Sequence, residues 1–457
     1  MGQDLKILKF GGTSLGSAEA MRRAAALVEQ ELPAPRGGLV VVSALAGTTD
    51  GLHQAMTAAA QGQAGKAEEI QATLEIRHLA LAETLGVAEA LAQAWPPLFR
   101  TLDDLIKGVG LVGEASPRSR DAALAVGETL SAHLLAALLR QRGRSAGFRD
   151  VLEVMRTDAR HGRARPDRRA LREACASWET GLAQGALWVT QGFLGAAPNG
   201  ATTTLGRGGS DTSATLLGEA LGATEVQIWT DVDGVLSADP SLVPEARPIP
   251  AMSLREAAAL SAFGAKVLHA DSLAPVGRAG FRLVVANTHR PEGSRTVIQA
   301  EPPARHPGEI TSVAYKEGVT CVRLAPAQES GLFERLTRAA TRLQTAGATL
   351  YGLLATPDGG LLVTRAETAE AETVLEDLRT SGMLLEQGWA VVALVGEGLR
   401  TAPGRAMALL APLEGESIAA ILAGDTGVSV AFLIPEHRLA ELVPKLHDHC
   451  VEKAGRP

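Results

Sequence analysis

Short apolar runs alternate with glycine-rich turns and helical patterns through the first part of the chain. Leu5–Phe10 (LKILKF) leads into Gly11-Gly12-Thr13-Ser14, and the apolar spacing from Met21 to Val28 then predicts a helix. A second buried-strand pattern, Leu39–Val42, ends in SALAGTTD. Strand, turn and helix in this succession favour an α/β fold with a parallel sheet, in which ligands bind at the carboxyl ends of the strands.

Later elements follow from the same patterns. Residues 53 to about 108 are rich in Ala, Leu and Glu and lack strand signals, which predicts a helical layer or lid without catalytic residues. Further strands and helices are predicted at Arg120–Arg140 (helix), Leu187–Phe193, Val226–Trp229, Leu254–His269 (helix) and Phe281–Asn287. Beyond the proline-rich stretch 301–309, a shorter βαββαβ pattern occurs twice and predicts two small α+β domains.

The stretch 202–214 (TTTLGRGGSDTSA) is the strongest candidate for a ligand site. Its glycines allow backbone N–H groups to approach an anion, and Arg207 offers a planar fork that suits a carboxylate or phosphate. A helix is predicted from Ala214, and Ser210 or Asp211 is expected to cap it. A glycine loop with a purely structural role is the alternative.

Composition narrows the class of protein. The 457 residues are 46% hydrophobic and 21% charged, which predicts a folded chain of several domains. A net charge of −7 and only 3% aromatic residues argue against nucleic-acid binding. The three cysteines lie far apart without metal-ligand spacing, and the amino terminus lacks a signal-peptide core, so we expect a cytoplasmic protein without a membrane segment.

The candidate residues fit phosphoryl transfer to an anionic acceptor. A carboxylate acceptor is already ionised at neutral pH, so the site must mainly supply cations that bridge two anions. Lys9, Arg207 and Lys266 are the candidate cations, with Asp211 orienting one of them. Asp231 and Asp233 do not have EF-hand spacing, and no protein-held metal site is predicted.

Six motifs together resemble the aspartate kinase family. In chain order they are KFGGTS at Lys9, SALAGTTD at Ser43, VGETLS at Val126, TTTLGRGGSDTSA at Thr202, WTDVDGVLSADP at Trp229 and FGAKVLH at Phe263. The resemblance implies a three-layer α/β/α amino acid kinase sandwich over residues 1–300, a linker at 301–309, and two ferredoxin-like ACT domains at 310–390 and 391–457. It also implies transfer of the γ-phosphoryl group of ATP to L-aspartate, giving 4-phospho-L-aspartate, the first step toward lysine, threonine and methionine.

The resemblance also assigns roles to residues. It places two sets around the ligands: for the nucleotide Lys9, Gly11, Gly12, Thr230, Asp231, Lys266 and Val267, and for aspartate Thr49, Glu128, Arg207, Ser210 and Asp211. Glu128 would hold the substrate ammonium, although a helical glutamate is more often a solvated surface residue. Magnesium would arrive with ATP, an amino acid effector would bind the ACT domains, and a homodimer or higher homo-oligomer is expected.

Some positions depart from the family pattern. Leu236 replaces a tyrosine, and Ser241 replaces an arginine that helps to hold the nucleotide, so weaker ATP affinity is expected. The effector segment resembling TSExS is 356–360 (TPDGG) here, so lysine or threonine binding should be weak or lost. Two alternatives therefore stay open: a sibling kinase acting on glutamate or another amino acid, and a non-catalytic amino acid sensor.

Overall fold

The structure is a computed structural model that describes residues 4–264, 268–301, 306, 308–325, 331–401, 408–423 and 427–452. The chain divides into two compact units. The first comprises Met1–Val235, Pro248–Leu254 and Val267–Glu301, and the second comprises Leu236–Arg247, Arg255–Lys266 and Pro302–Pro457. Two short segments of the predicted kinase domain thus belong to the unit that contains the carboxyl-terminal sheet.

Ten strands lie in the described part of the first unit. They are β1 (Lys6–Phe10), β2 (Gly38–Val42), β3 (Ala146–Phe148), β4 (Leu187–Gln191), β5 (Leu194–Ala196), β6 (Thr202–Thr204), β7 (Glu225–Thr230), β8 (Ala251–Ser253), β9 (Arg282–Asn287) and β10 (Thr296–Gln299). Eight form one sheet in the order β3-β4-β2-β1-β7-β9-β10-β8, and β5 pairs with β6. Neighbours from β3 to β9 run parallel, so their carboxyl ends share one edge of the sheet.

Ten α-helices lie among the described residues before 301. They are α1 (Ala18–Glu31), α2 (Thr48–Ala60), α3 (Ala64–Leu85), α4 (Ala88–Leu91), α5 (Trp95–Val112), α6 (Pro117–Gln141), α7 (Arg168–Ala183), α8 (Gly209–Leu221), α9 (Leu254–Ala262) and α10 (Ala270–Ala279). The predicted helical layer is confirmed as α2 to α5, which share a buried core with α6. Helix α6 is long and apolar enough to cross a membrane, but 78% of its apolar window is buried inside the protein, which is typical of a core helix.

A six-stranded antiparallel sheet organises the second unit. Its strands are β11 (Ser312–Leu324), β12 (Ala348–Thr356), β13 (Gly359–Ala366), β14 (Leu384–Val395), β15 (Ile421–Ala423) and β16 (Ser429–Pro435), in the order β12-β13-β11-β14-β16-β15. Helices α11 (Leu332–Thr345), α12 (Ala369–Thr380) and α13 (Leu439–His447) accompany it. The predicted boundary between residues 390 and 391 falls within β14, which pairs with both β11 and β16.

Candidate active site

The carboxyl ends of the parallel strands enclose a cavity of about 260 Å³. Its lining contains five residues predicted from the sequence and five others: Lys9, Thr49, Glu128, Ser210 and Asp211, with Ser43, Phe193, Gly206, Gly208 and Gly209. The fold therefore gathers side chains from four distant motifs into one space.

Lys9 and Asp211 form the central contact of this cavity. Lys9 lies near the end of β1, opposite Val41 of β2 and Ile228 of β7, in the middle of the sheet. Its Nζ is 2.6 Å from Oδ1 of Asp211, and the two side chains are only 10% and 16% exposed. The pair therefore brings the positive charge of Lys9 to the first turn of α8.

Helix α8 begins earlier than the sequence predicts. Gly208 has a φ of 69° and precedes the first helical residue, Gly209, so Ser210 and Asp211 lie inside the first turn. The expectation that one of them caps the helix is wrong, because no side chain caps this helix end and the left-handed glycine turns the chain instead. The first N–H groups of an α-helix have no partner within the helix. The N–H of Gly209 donates to the Gly206 carbonyl, which leaves the N–H groups of Ser210 and Asp211 for an anionic ligand.

Glu128 is buried rather than solvated. It lies on α6 with 4% of its surface exposed, and its Oε2 has no hydrogen-bond partner among the described residues. Burial raises the pKa of Glu128 to about 8, while a hydrogen bond from the Ala44 backbone and the charge of Lys9 oppose that shift. The carboxyl is therefore mostly protonated at neutral pH until a cation approaches.

The first glycine turn is tightly packed between strands. The N–H of Gly11 donates to the carbonyl of Trp229 at the end of β7, and the carbonyl of Gly12 accepts from the N–H of Ala46. Thr230 and Asp231 follow Trp229 at the edge of the sheet where β1 ends. These four predicted nucleotide residues, Gly11, Gly12, Thr230 and Asp231, are absent from the lining of the 260 Å³ cavity.

Of the remaining predicted residues, Arg207 is described by the structure and two others are not. Arg207 lies between two glycines of the cavity lining, Gly206 and Gly208, but is itself exposed and makes no hydrogen bond or ion pair with a described residue. Its guanidinium is free to take a ligand. Lys266 and Val267 lie outside the described residues, so their predicted roles are untested.

Sequence reasoning missed Phe193. It lines the cavity with a φ of 68°, a left-handed conformation that is unfavourable for an aromatic residue. Its N–H donates to Oγ of Ser213 and its carbonyl accepts from Leu205, which hold this conformation. No local sequence signal marks such a residue, since the conformation is imposed by α8 and the turn before it.

Asp121 is a second missed residue. It is buried on α6 and accepts from the N–H of Gly162 and from Oγ1 of Thr204, and it contacts Nδ1 of His161 at 2.8 Å. It thereby connects the basic loop around His161 to the strand that leads into the Gly206 turn.

Across the described parts of the chain, no group of three or more His, Cys, Asp or Glu side chains could hold a metal ion.

The chain is similar to known proteins over most of its length. Residues 4–287 match the amino acid kinase family. The chain is 32% identical to the lysine-sensitive aspartokinase 3 of Escherichia coli (strain K12), over 98% of this chain and 100% of that protein.

Two solved structures of E. coli aspartokinase III are also similar. The complex with aspartate and ADP (R-state) has a TM-score of 0.83 and 32% identity and covers 97% of this chain and 99% of that chain. The complex with lysine and aspartate (T-state) has a TM-score of 0.77 and 30% identity and covers 98% and 100%. The likeness thus extends over both units.

We expect Gly12→Ala to destabilise the protein and Gly11→Ala to leave it nearly unchanged. A Cβ on Gly12 would lie 2.7 Å from the carbonyl oxygen of Ala44, whereas a Cβ on Gly11 would find its nearest neighbour, Nζ of Lys9, at 3.5 Å. Overpacking against backbone costs about 1–3 kcal/mol. Thermal unfolding of both variants checks this, and equal midpoints would contradict it.

We expect Glu128→Gln to stabilise the ligand-free protein increasingly as the pH rises. The pKa of Glu128 is about 8 when folded against 4.5 ordinarily, so the folded state retains a proton that the unfolded state loses, and stability falls between those pH values. Thermal midpoints at pH 5.5 and 8.5 measure the difference. Glu83→Gln, at an exposed position, is the control, and a gain that is independent of pH would refute the burial of a protonated carboxyl.

Proposed function

Because the chain belongs to the amino acid kinase family and, within it, to the aspartokinases, we propose that it transfers the γ-phosphoryl group of ATP to the side-chain carboxylate of L-aspartate. The product is 4-phospho-L-aspartate, the first intermediate toward lysine, threonine and methionine. The observation that carries the proposal is the cavity in which the Lys9–Asp211 pair and the buried Glu128 face one space. The similar E. coli structure holds aspartate and ADP.

The acceptor carboxylate needs neutralisation rather than a general base. A carboxyl with an ordinary pKa of ~4 is ionised at neutral pH, so the barrier lies in bringing two anions together. Lys9 supplies a positive charge at the strand end, and the uncapped first turn of α8 supplies N–H donors. Arg207 is the free fork for the other carboxylate of aspartate.

Glu128 suits the ammonium group of the amino acid. A buried, protonated carboxyl ionises when a cation arrives, because the new ion pair offsets the cost of burial. Aspartate binding is then accompanied by loss of the proton from Glu128. A ligand without an ammonium group leaves that carboxyl neutral, so Glu128 selects for amino acids.

Magnesium fits the site as a companion of the nucleotide. This ion prefers one or two carboxylates together with substrate phosphates. Asp211 is the carboxylate in the cavity that suits it, since the raised pKa keeps Glu128 protonated at neutral pH. When bound, magnesium neutralises charge on the phosphates. Gly11, Gly12, Thr230 at the end of β7 and Asp231 after it are the described nucleotide residues outside the cavity lining, and Lys266 and Val267 are proposed as further nucleotide residues.

Regulation and assembly follow from the second unit. We propose that its antiparallel sheet takes an amino acid effector and contributes to a homo-oligomer in the cytoplasm. The segment 356–360 forms the turn between β12 and β13, where Oγ1 of Thr356 donates to the Gly359 carbonyl. Lysine sensitivity is a property of the E. coli relative, and the altered segment here favours weaker binding of lysine.

The decisive experiment measures ADP release with aspartate and Mg-ATP. Lys9→Ala should lower kcat by at least a hundredfold, because it removes the cation and leaves Asp211 without its partner. An exposed lysine, Lys107, changed to Ala should retain full activity. Wild-type turnover no greater than that of Lys9→Ala would rule out the kinase and favour the amino acid sensor.

Arg207→Lys should raise KM for aspartate more than tenfold and change kcat less. A lysine offers a point charge, whereas two parallel N–H donors hold a carboxylate in a fixed orientation. Arg160→Lys, an exposed arginine paired with Asp158, is the matched control. Initial rates over a range of aspartate concentrations measure the effect, and an unchanged KM would show that Arg207 does not touch the substrate.

The same assay decides between aspartate and glutamate. The ratio of kcat/KM for the two acceptors should favour aspartate, since the similar structures contain that amino acid. A preference for glutamate would assign the chain to the sibling kinase.

A further inference from the structure

The segment 236–247 immediately follows the predicted nucleotide residues but is built into the second unit. Residues up to Val235 belong to the first unit, where the Val235 N–H donates to Oγ1 of Thr296 and its carbonyl accepts from Ile249. From Leu236 the chain belongs to the second unit. The two halves of the WTDVDGVLSADP motif are thus held by different units.

Apolar packing anchors the segment. Ala238 and Val243 are 5% and 3% exposed and belong to the buried cluster that contains Leu442 and Leu446 of α13. Because these side chains are buried in the same cluster as residues of α13, the position of the segment depends in part on that helix.

Ser237 forms the polar part of the anchor. Its N–H donates to the Arg247 carbonyl, its carbonyl accepts from Val313 of β11, and its Oγ accepts from the N–H of Arg247. The same Oγ shares a hydrogen bond of 2.8 Å with Nε2 of His447, the last residue of α13. Both side chains are almost fully buried, at 3% and 2% exposure.

Ser241 makes this anchor more important. Where aspartate kinases are expected to have an arginine toward the nucleotide, Ser241 instead donates from its N–H and Oγ to Asp239, within the segment itself. Ser241 itself offers no positive charge, so in the proposed function an effect of the segment on the nucleotide rests on its placement.

We infer that His447 is a positioning residue: through Ser237 it fixes the segment 236–247, and so it sets the affinity of the enzyme for Mg-ATP. This inference rests on the proposed kinase function. It assigns to the carboxyl-terminal helix a specific effect on the nucleotide and none on aspartate, because the aspartate cavity is lined entirely by residues of the first unit.

Steady-state kinetics of the full chain test the inference. His447→Leu should raise KM for Mg-ATP about tenfold, since it leaves a buried hydroxyl without one partner, and should change KM for aspartate less than about twofold. Ser237→Ala, a smaller change, should have a similar effect. The double variant should be no worse than Ser237→Ala, because that change already removes the hydroxyl through which His447 acts. His447→Gln, whose amide can donate or accept, should restore most of the affinity.

A control distinguishes the positioning role of His447 from a general loss of stability in the second unit. Leu375→Ala removes a buried side chain of α12 from a different cluster of the second unit, with Leu336 and Leu362. It should lower the thermal midpoint without changing KM for Mg-ATP. The inference is overturned if His447→Leu and Ser237→Ala keep the wild-type KM for Mg-ATP, if both KM values rise together, or if Leu375→Ala has the same effect.

Calorimetry with Mg-ADP keeps the test independent of turnover. In one outcome, the chain has no aspartate kinase activity but still binds Mg-ADP, and His447→Leu weakens that binding about tenfold. This outcome would refute the proposed function and support the positioning role. If the wild-type chain binds no Mg-ADP, both ideas fail.

Discussion

The ion pair between Lys9 and Asp211 is the contact on which the site depends. It joins the end of the central strand β1 to the first turn of α8, and both side chains are largely removed from water. Two charges in such a place need each other, since either one alone would bear the full cost of desolvation. Because the Asp211 side chain contacts Lys9 and does not cap its own helix end, the N–H groups of Ser210 and Asp211 can donate to a ligand in the proposed function.

Two other features of the cavity are unfavourable for stability and useful for binding. Glu128 is buried with one oxygen unpaired, and Phe193 has a left-handed backbone conformation. Each costs free energy that the surrounding packing must offset. In the proposed function, an ammonium group that pairs with Glu128 offsets the cost of burying this carboxyl. Local rules of folding are broken here, where function requires it.

The sequence predicts the framework better than it predicts the cavity. Strands β1 and β2 lie within one residue of their predicted bounds, because short apolar runs between glycines have few alternatives. The start of α8 was misplaced, since a left-handed Gly208 begins a helix without any capping side chain. Glu128 could not be derived from pattern alone: α6 is buried on most of its faces, so periodicity does not show which of its polar residues points inward. The resemblance to a family supplied that residue.

The sequence predicts a domain boundary near residue 300. The division of the chain into two units shows that this boundary alone describes the organisation incompletely. The segments 236–247 and 255–266 lie within the kinase part of the sequence yet group with the carboxyl-terminal sheet. Their membership is determined by distant contacts, such as Ala238 and Val243 with the residues of α13, which no local pattern records. A covalent chain that passes repeatedly between two units links them more directly than a single linker would. Under the inference drawn for His447, a displacement of α13 would act on the segment 236–247 through these direct contacts.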